Sequence, residues 1–183
     1  MLVIGGGHAG TEACAAASRM GRRTLLLTHK LETIGEMSCN PSFGGIGKGH
    51  LMREIDALDG LCARCCDVSG VHYKVLNRRR GPAVWGPRAQ IDRQLYKAAV
   101  QRELFGMENL EIRTAAVDNL LIEADNVELA DGQSKFRCTG VALSGGEVVL
   151  SKSVVLATGT FLRANINIGL EVRPAGWYSF SFF

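Results

Sequence analysis

The apolar positions of the chain follow two rhythms. Short unbroken runs read as strands buried on both faces, as in a parallel sheet. They are Leu2-Val3-Ile4, Leu25-Leu26-Leu27 within Thr24–Thr28, and Val154-Val155-Leu156 within Ser153–Thr160. Between the first two lies Thr11–Met20, rich in good helix formers and small residues and closed by Gly21. Elsewhere apolar residues recur at helical spacing. Leu51, Ile55 and Leu58 form one such set, with Arg53, Glu54 and Asp56 off the face and an end near Gly60. Ile91, Leu95, Ala98 and Ala99 form another, beyond Pro87. Alternation predicts strands at Val71–Leu76, Leu110–Arg113 and Asn119–Glu123, and a hairpin of Arg137–Leu143 with Glu147–Leu150 about Ser144-Gly145-Gly146. The expected fold class is α/β, a Rossmann-like parallel sheet with helices joined to an antiparallel β-meander.

The first strand runs into Gly5-Gly6-Gly7-His8-Ala9-Gly10, a G-x-G-x-x-G at a strand-to-helix junction. Gly5 permits the tight turn, Gly7 lets a pyrophosphate approach the backbone, and Gly10 lets helix and strand pack closely. The first helical turn then presents unpaired N–H groups and the positive dipole end to phosphate. With the second strand this makes a β–α–β unit, and dinucleotide binding is the expectation. The acidic residue that NAD-binding units place after that strand is replaced by Thr28-His29, either of which could hydrogen-bond a ribose. The strand ending in Ala157-Thr158-Gly159 brings a second small-residue turn beside the first motif.

Composition changes this picture in a few respects. At 183 residues, 46% hydrophobic and 21% charged, the chain can bury one real core. It shows no secretion signal and no run of about 18 apolar residues, so no membrane span is expected. The six cysteines, Cys14, Cys39, Cys62, Cys65, Cys66 and Cys138, do not suggest a disulfide framework, and no metal site is expected. Cys62-x-x-Cys65-Cys66 resembles half a zinc site, but no second pair follows it. Lys30–Gly49 reads as a long functional loop with Cys39 at its centre, and Gly47-Lys48-Gly49 lacks the spacing of a nucleotide P-loop. Lys74–Arg102 holds eight basic residues against one acid, so the rest of a chain of net charge +3 is acidic by four. Such a segment is the footprint of a polyanion or, equally, a solvated basic face.

The glycine motif and the Val-Val-Leu-Ala-Thr-Gly strand together resemble the FAD-binding half of two-dinucleotide-domain flavoproteins. GGGHAG at Gly5–Gly10, the fourteen-residue loop MSCNPSFGGIGKGH at Met37–His50, Gly81-Pro82-Ala83-Val84 and Gly159-Thr160-Phe161-Leu162 are similar to the MnmG/GidA family of tRNA uridine 5-carboxymethylaminomethyl modification enzymes. Val71–Trp85, VHYKVLNRRRGPAVW, is most similar to the mitochondrial branch. The resemblance implies an FAD cofactor, NADH or NADPH as reductant, methylenetetrahydrofolate as one-carbon donor, and a reaction at C5 of the wobble uridine of tRNA. It also implies an MnmE-type GTPase partner, a homodimer and a mitochondrial setting. On this reading Gly5, Gly6, Gly7, His8, Ala9 and Gly10 hold the FAD pyrophosphate. Thr28, His29, Thr158 and Gly159 border the cofactor, and Val117 falls where the family makes a backbone contact to adenine. Cys39 matches a thiol of the active-site loop, and Arg78, Arg79, Arg80 and Arg88 are candidate contacts to the tRNA backbone.

The resemblance covers about positions 1–176, taken as a partial FAD-binding domain, whereas residues 177–183, WYSFSFF, depart from the family pattern and read as a non-homologous aromatic tail. Family members are roughly three times longer, so the expectation is a fragment inactive by itself. Two other readings stay open: a generic FAD or NAD(P)H oxidoreductase acting on a small substrate, and a non-catalytic truncated isoform that binds tRNA.

Overall fold

A computed structural model of the chain describes residues 1–128, 134–159 and 164–175. The expected tail at 177–183 and the Thr160-Phe161-Leu162 motif lie outside these. Strand β1 (Leu2–Ile4), helix α1 (His8–Arg19) and strand β2 (Thr24–Thr28) form the anticipated unit. Next come β3 (Ser42–Gly44), α2 (Lys48–Ala57), α3 (Leu61–Ser69), β4 (Gly70–Leu76), β5 (Gly86–Ile91), α4 (Arg93–Phe105) and β6 (Leu110–Thr114). The remainder is strand: β7 (Val117–Glu128), β8 (Ser134–Leu143), β9 (Val148–Leu150), β10 (Val154–Leu156), β11 (Ala164–Ile168) and β12 (Glu171–Ala175).

The parallel sheet has the order β10-β1-β2-β6, so the last apolar run lies directly beside the first, with Leu2 opposite Val154 and Ile4 opposite Leu156. One face of this sheet builds the larger core. Val3 and Leu26 pack there with Cys14 and Ala15 of α1 and with Tyr96, Val100 and Leu104 of α4. The other face, with Leu2, Ile4 and Leu27, meets Val117, Val141 and Leu143 of the meander β7-β8-β9. The meander turns at Ser144-Gly145-Gly146 as its sequence predicts, with positive φ at both glycines. Among the described residues no helix is long and apolar enough to cross a membrane.

Three expectations need correction. Lys30–Gly49 is not one loop: Ser42–Gly44 joins a second sheet of order β3-β5-β4, and α2 begins at Lys48. Residues 86–91 form strand β5, the centre of that sheet, so the helix expected to run through Ile91 begins only at Arg93. The reason is local. Asp92 is the true cap, its Oδ1 accepting from the N–H groups of Gln94 (2.9 Å) and Leu95 (3.0 Å). Ile91 meanwhile is buried at the end of the strand. Finally, the apolar stripe of α2 does not face the core: Leu51 is 60% and Leu58 78% exposed. The helix instead approaches β5 through Gly49, where a Cβ would lie 2.6 Å from the Pro87 carbonyl.

Candidate functional site

The site forms at the carboxyl ends of β1, β2 and β10. Gly5 adopts φ +108°, and a Cβ there would meet the Ala157 carbonyl oxygen at 2.3 Å. The turn at Ala157-Thr158-Gly159 thus lies against the first glycine, as the sequence predicts. A Cβ on Gly10 would sit 1.8 Å from the Gly5 carbonyl, so α1 presses directly on the loop. Gly7 differs: no heavy atom lies within 4 Å of the place its Cβ would occupy. Gly7 is exposed and is the N-cap of α1, which has no side-chain cap and no acid in its first turn. Steric room, free N–H donors and the positive helix end therefore coincide.

Around this loop the other expected residues fall into two groups. Thr28 is buried beneath Gly6, its hydroxyl donating to the Lys30 carbonyl at 3.5 Å, while His29 is exposed at the end of β2. Val117 begins β7 just beyond β6, buried against Leu2, Ile4 and Leu27. Thr158 is buried and Gly159 exposed beside Gly5. The second group surrounds a cavity of about 660 Å³, where His8 and Ala9 of the glycine loop meet the exposed Cys39, Arg88, Lys48 and Cys62. Arg88 donates to the Ser42 hydroxyl at 3.3 Å. Arg78, Arg79 and Arg80 lie elsewhere, as an exposed helical turn between β4 and β5.

Cys39 is placed by helix α4. Arg93 donates to its carbonyl, Lys97 pairs with Glu36 at 2.8 Å, and Gln101 donates to the Ile34 carbonyl at 3.2 Å. Positions 93, 97 and 101 are one helical stripe, so a single face of α4 grips the loop along its length. Two cations of the basic segment are therefore occupied inside the protein.

The expected His8 is held at the cavity by aromatic partners that sequence reasoning missed. His8 stacks against Tyr96 with ring centroids 5.7 Å apart and meets Phe43 edge-on at 5.0 Å. Its Nε2 is buried without a hydrogen-bond partner. Burial, and then the charge of Lys48, holds its pKa below the usual imidazole range, with Glu12 opposing. Glu12 accepts the N–H groups of Leu61 (3.0 Å) and Cys62 (2.6 Å), capping α3 from α1. The Cys66 thiol donates to Cys62 and holds it low, and the Tyr96 hydroxyl adds a second donation at 3.2 Å. Burial pushes Cys14 up to about 12, as expected of an inert core thiol. No local pattern marks Tyr96, and neither the loop motif holding Phe43 nor the cysteine spacing at Cys62 points to this cavity, because each joins the site only through tertiary contact.

Lys48 and Arg88 bring positive charge to the cavity, whose carboxylates are engaged elsewhere. Glu36 is matched by Lys97, and Glu12 is held by two backbone donors. Among the described residues, neither Lys48 nor Arg88 has a carboxylate within 4 Å. A nucleotide pyrophosphate over Gly7 fits the steric room, the donors and the charge together.

Comparison with known proteins places the chain in a family. The family model for glucose inhibited division protein A matches residues 1–181. The chain is 62% identical over 176 residues to the mitochondrial 5-taurinomethyluridine tRNA synthase subunit MTO1 of Macaca fascicularis, covering 96% of this chain and 25% of that protein. Identity to the same subunit of Mus musculus is also 62%, over 96% of this chain and 26% of that one. The crystal structure of Aquifex aeolicus GidA superposes with a TM-score of 0.83 at 42% identity, covering 96% of this chain and 27% of that one. The chain thus spans about a quarter of the length of the curated relatives it matches. Over that quarter the family match and the fold agree, and the chain belongs to the glucose inhibited division protein A family.

Proposed function

We propose that this chain is the dinucleotide-binding part of an FAD-dependent enzyme that modifies C5 of the wobble uridine of mitochondrial tRNA. The carrying observation is that His8 and Ala9, which follow the open Gly7, share one cavity with the exposed Cys39. Gly6, Gly7, His8, Ala9 and Gly10 hold the pyrophosphate through backbone donors and the end of α1, Gly5 shapes the turn with its own N–H bonded to the Leu27 carbonyl, and Lys48 adds positive charge. Thr28 supports Gly6 from below, and His29, Val117, Thr158 and Gly159 border the cofactor. FAD, when bound, supplies electron transfer and a carrier position for the one-carbon unit. Cys39 is the nucleophilic thiol facing that cavity, and α4 fixes its backbone. Arg78, Arg79, Arg80 and Arg88 attract the RNA backbone, because phosphate neutralisation supplies much of RNA affinity.

The complete reaction draws on NADH or NADPH, methylenetetrahydrofolate, an MnmE-type GTPase and a homodimeric protein, and belongs to the full-length relative. Two measurements test the part carried by this chain. FAD titration should quench flavin fluorescence with saturable binding, and absence of binding rejects the cofactor assignment. Binding of tRNA should be salt-dependent and weaken when Arg78→Gln, Arg79→Gln and Arg80→Gln are combined; unchanged binding rejects their role.

A further inference from the structure

The basic segment contains a cation pair that folding does not explain. In the register of β4 on β5, Lys74 stands directly opposite Arg88. Like charges directly opposite on neighbouring strands destabilise a sheet. Both residues are exposed, and neither has a carboxylate within 4 Å among the described residues. Arg93 and Lys97 belong to the same basic segment but are used in holding the Cys39 loop. Lys74 and Arg88 line one pocket with Asp56 and Asp67, yet neither pairs with them within 4 Å, and the Arg88 side chain donates to the neutral Ser42 hydroxyl.

Hydrogen bonds brace the neighbourhood. β4 leads into Asn77 with φ +60°, and the turn that follows presents Arg78, Arg79 and Arg80. The Trp85 indole N–H donates to the Arg78 carbonyl at 3.2 Å, and His50 Nε2 lies 3.1 Å from the Ala83 carbonyl. The cations are thus mounted on a sheet and a braced turn. Arg88 lines the Cys39 cavity and also, with Lys74 and Arg78, a second pocket, so the pair links the arginine turn to that cavity.

We infer that Lys74 and Arg88 form a phosphate-binding site for the RNA backbone, one that sets the path of the strand from the arginine turn to the Cys39 cavity. This rests on the tRNA reading above and adds Lys74 to it. The repulsion between the two cations is relieved when an RNA phosphate lies between them. Stability of the free chain and affinity for RNA therefore pull in opposite directions at Lys74, which a purely structural residue would not show.

The test uses the 183-residue chain and a synthetic 17-nucleotide anticodon stem-loop RNA, with affinity measured by fluorescence anisotropy across a salt series. Lys74→Gln should weaken binding about fivefold and lower the salt slope by about one, with no loss of thermal stability. Lys74→Arg should restore binding. Arg102→Gln, the same charge change in the same basic segment but on α4, should leave affinity and slope unchanged. Equal effects of Lys74→Gln and Arg102→Gln would reduce the pair to net charge and overturn the inference, leaving the tRNA reading intact. Loss of FAD affinity in Lys74→Gln with RNA binding unchanged would assign the cations to the dinucleotide and overturn it too. Absence of RNA binding by the unaltered chain, with FAD binding retained, would reject both this inference and the tRNA part of the proposed function.

Discussion

Gly7 and Gly10 sit three residues apart in one motif and answer to opposite demands. At Gly10 a Cβ would meet backbone at 1.8 Å, so Gly10→Ala should cost about 2 kcal/mol or more of stability. At Gly7 the same Cβ meets open space, so Gly7→Ala should hold stability within about 1 kcal/mol. It should nonetheless weaken FAD binding about tenfold, because the lost space is where the phosphate approaches. Thermal melts beside fluorescence titrations separate the two outcomes. His8 carries a second expectation. Its pKa is lowered in the fold, so the unfolded chain binds a proton more readily below the ordinary value of 6.5. Stability is therefore full above 6.5 and falls as pH drops through that value. Denaturant melts at about pH 7.5 and about pH 5.5 should show the decline, and His8→Gln should reduce it. His29, also lowered by burial, should contribute a remainder.

Elements are joined here by side chains that reach far along the sequence. Helix α3 has only Gly60 at its N-cap, and Glu12 of α1 supplies the missing acceptor. Glu12→Ala should destabilise the chain by about 1–2 kcal/mol, and Glu12→Gln by less, since an amide oxygen can still accept one N–H. Chemical denaturation measures both, and an unchanged midpoint for Glu12→Ala would show that α3 needs no cap. Local signals were legible where they were sufficient. The parallel strands, α1 and the Gly145-Gly146 turn follow from runs, small residues and glycine. They were insufficient where partners are distant: the separations from Glu12 to Leu61 and Cys62 are 49 and 50 residues. The shift of α4 from Ile91 to Arg93 shows a local conflict instead. The alternation of exposed Arg88 and Gln90 with more buried Ala89 and Ile91 is a strand pattern, and the Asp92 cap separates it from the helix.

Over the whole molecule, apolar surface is distributed unevenly. Leu51 on α2 and Leu58 at its C-cap stay in solvent although their spacing marks a buried face. Replacing both by Gln should change stability by less than about 0.5 kcal/mol and reduce self-association, as followed by light scattering. A large loss of stability would place that face within the core. The sequence by itself determined the β–α–β unit, the phosphate turn and the excess of cations, because each depends on residues close in the chain and on backbone sterics or charge. Tertiary structure alone decided which cations remain available. It engaged Arg93 and Lys97 with the Cys39 loop along one face of α4 and set Lys74 against Arg88 by strand register. It also brought Cys39 to the open glycine loop. Register and helix facing are properties of packed partners, and no stretch of the chain read by itself contains them.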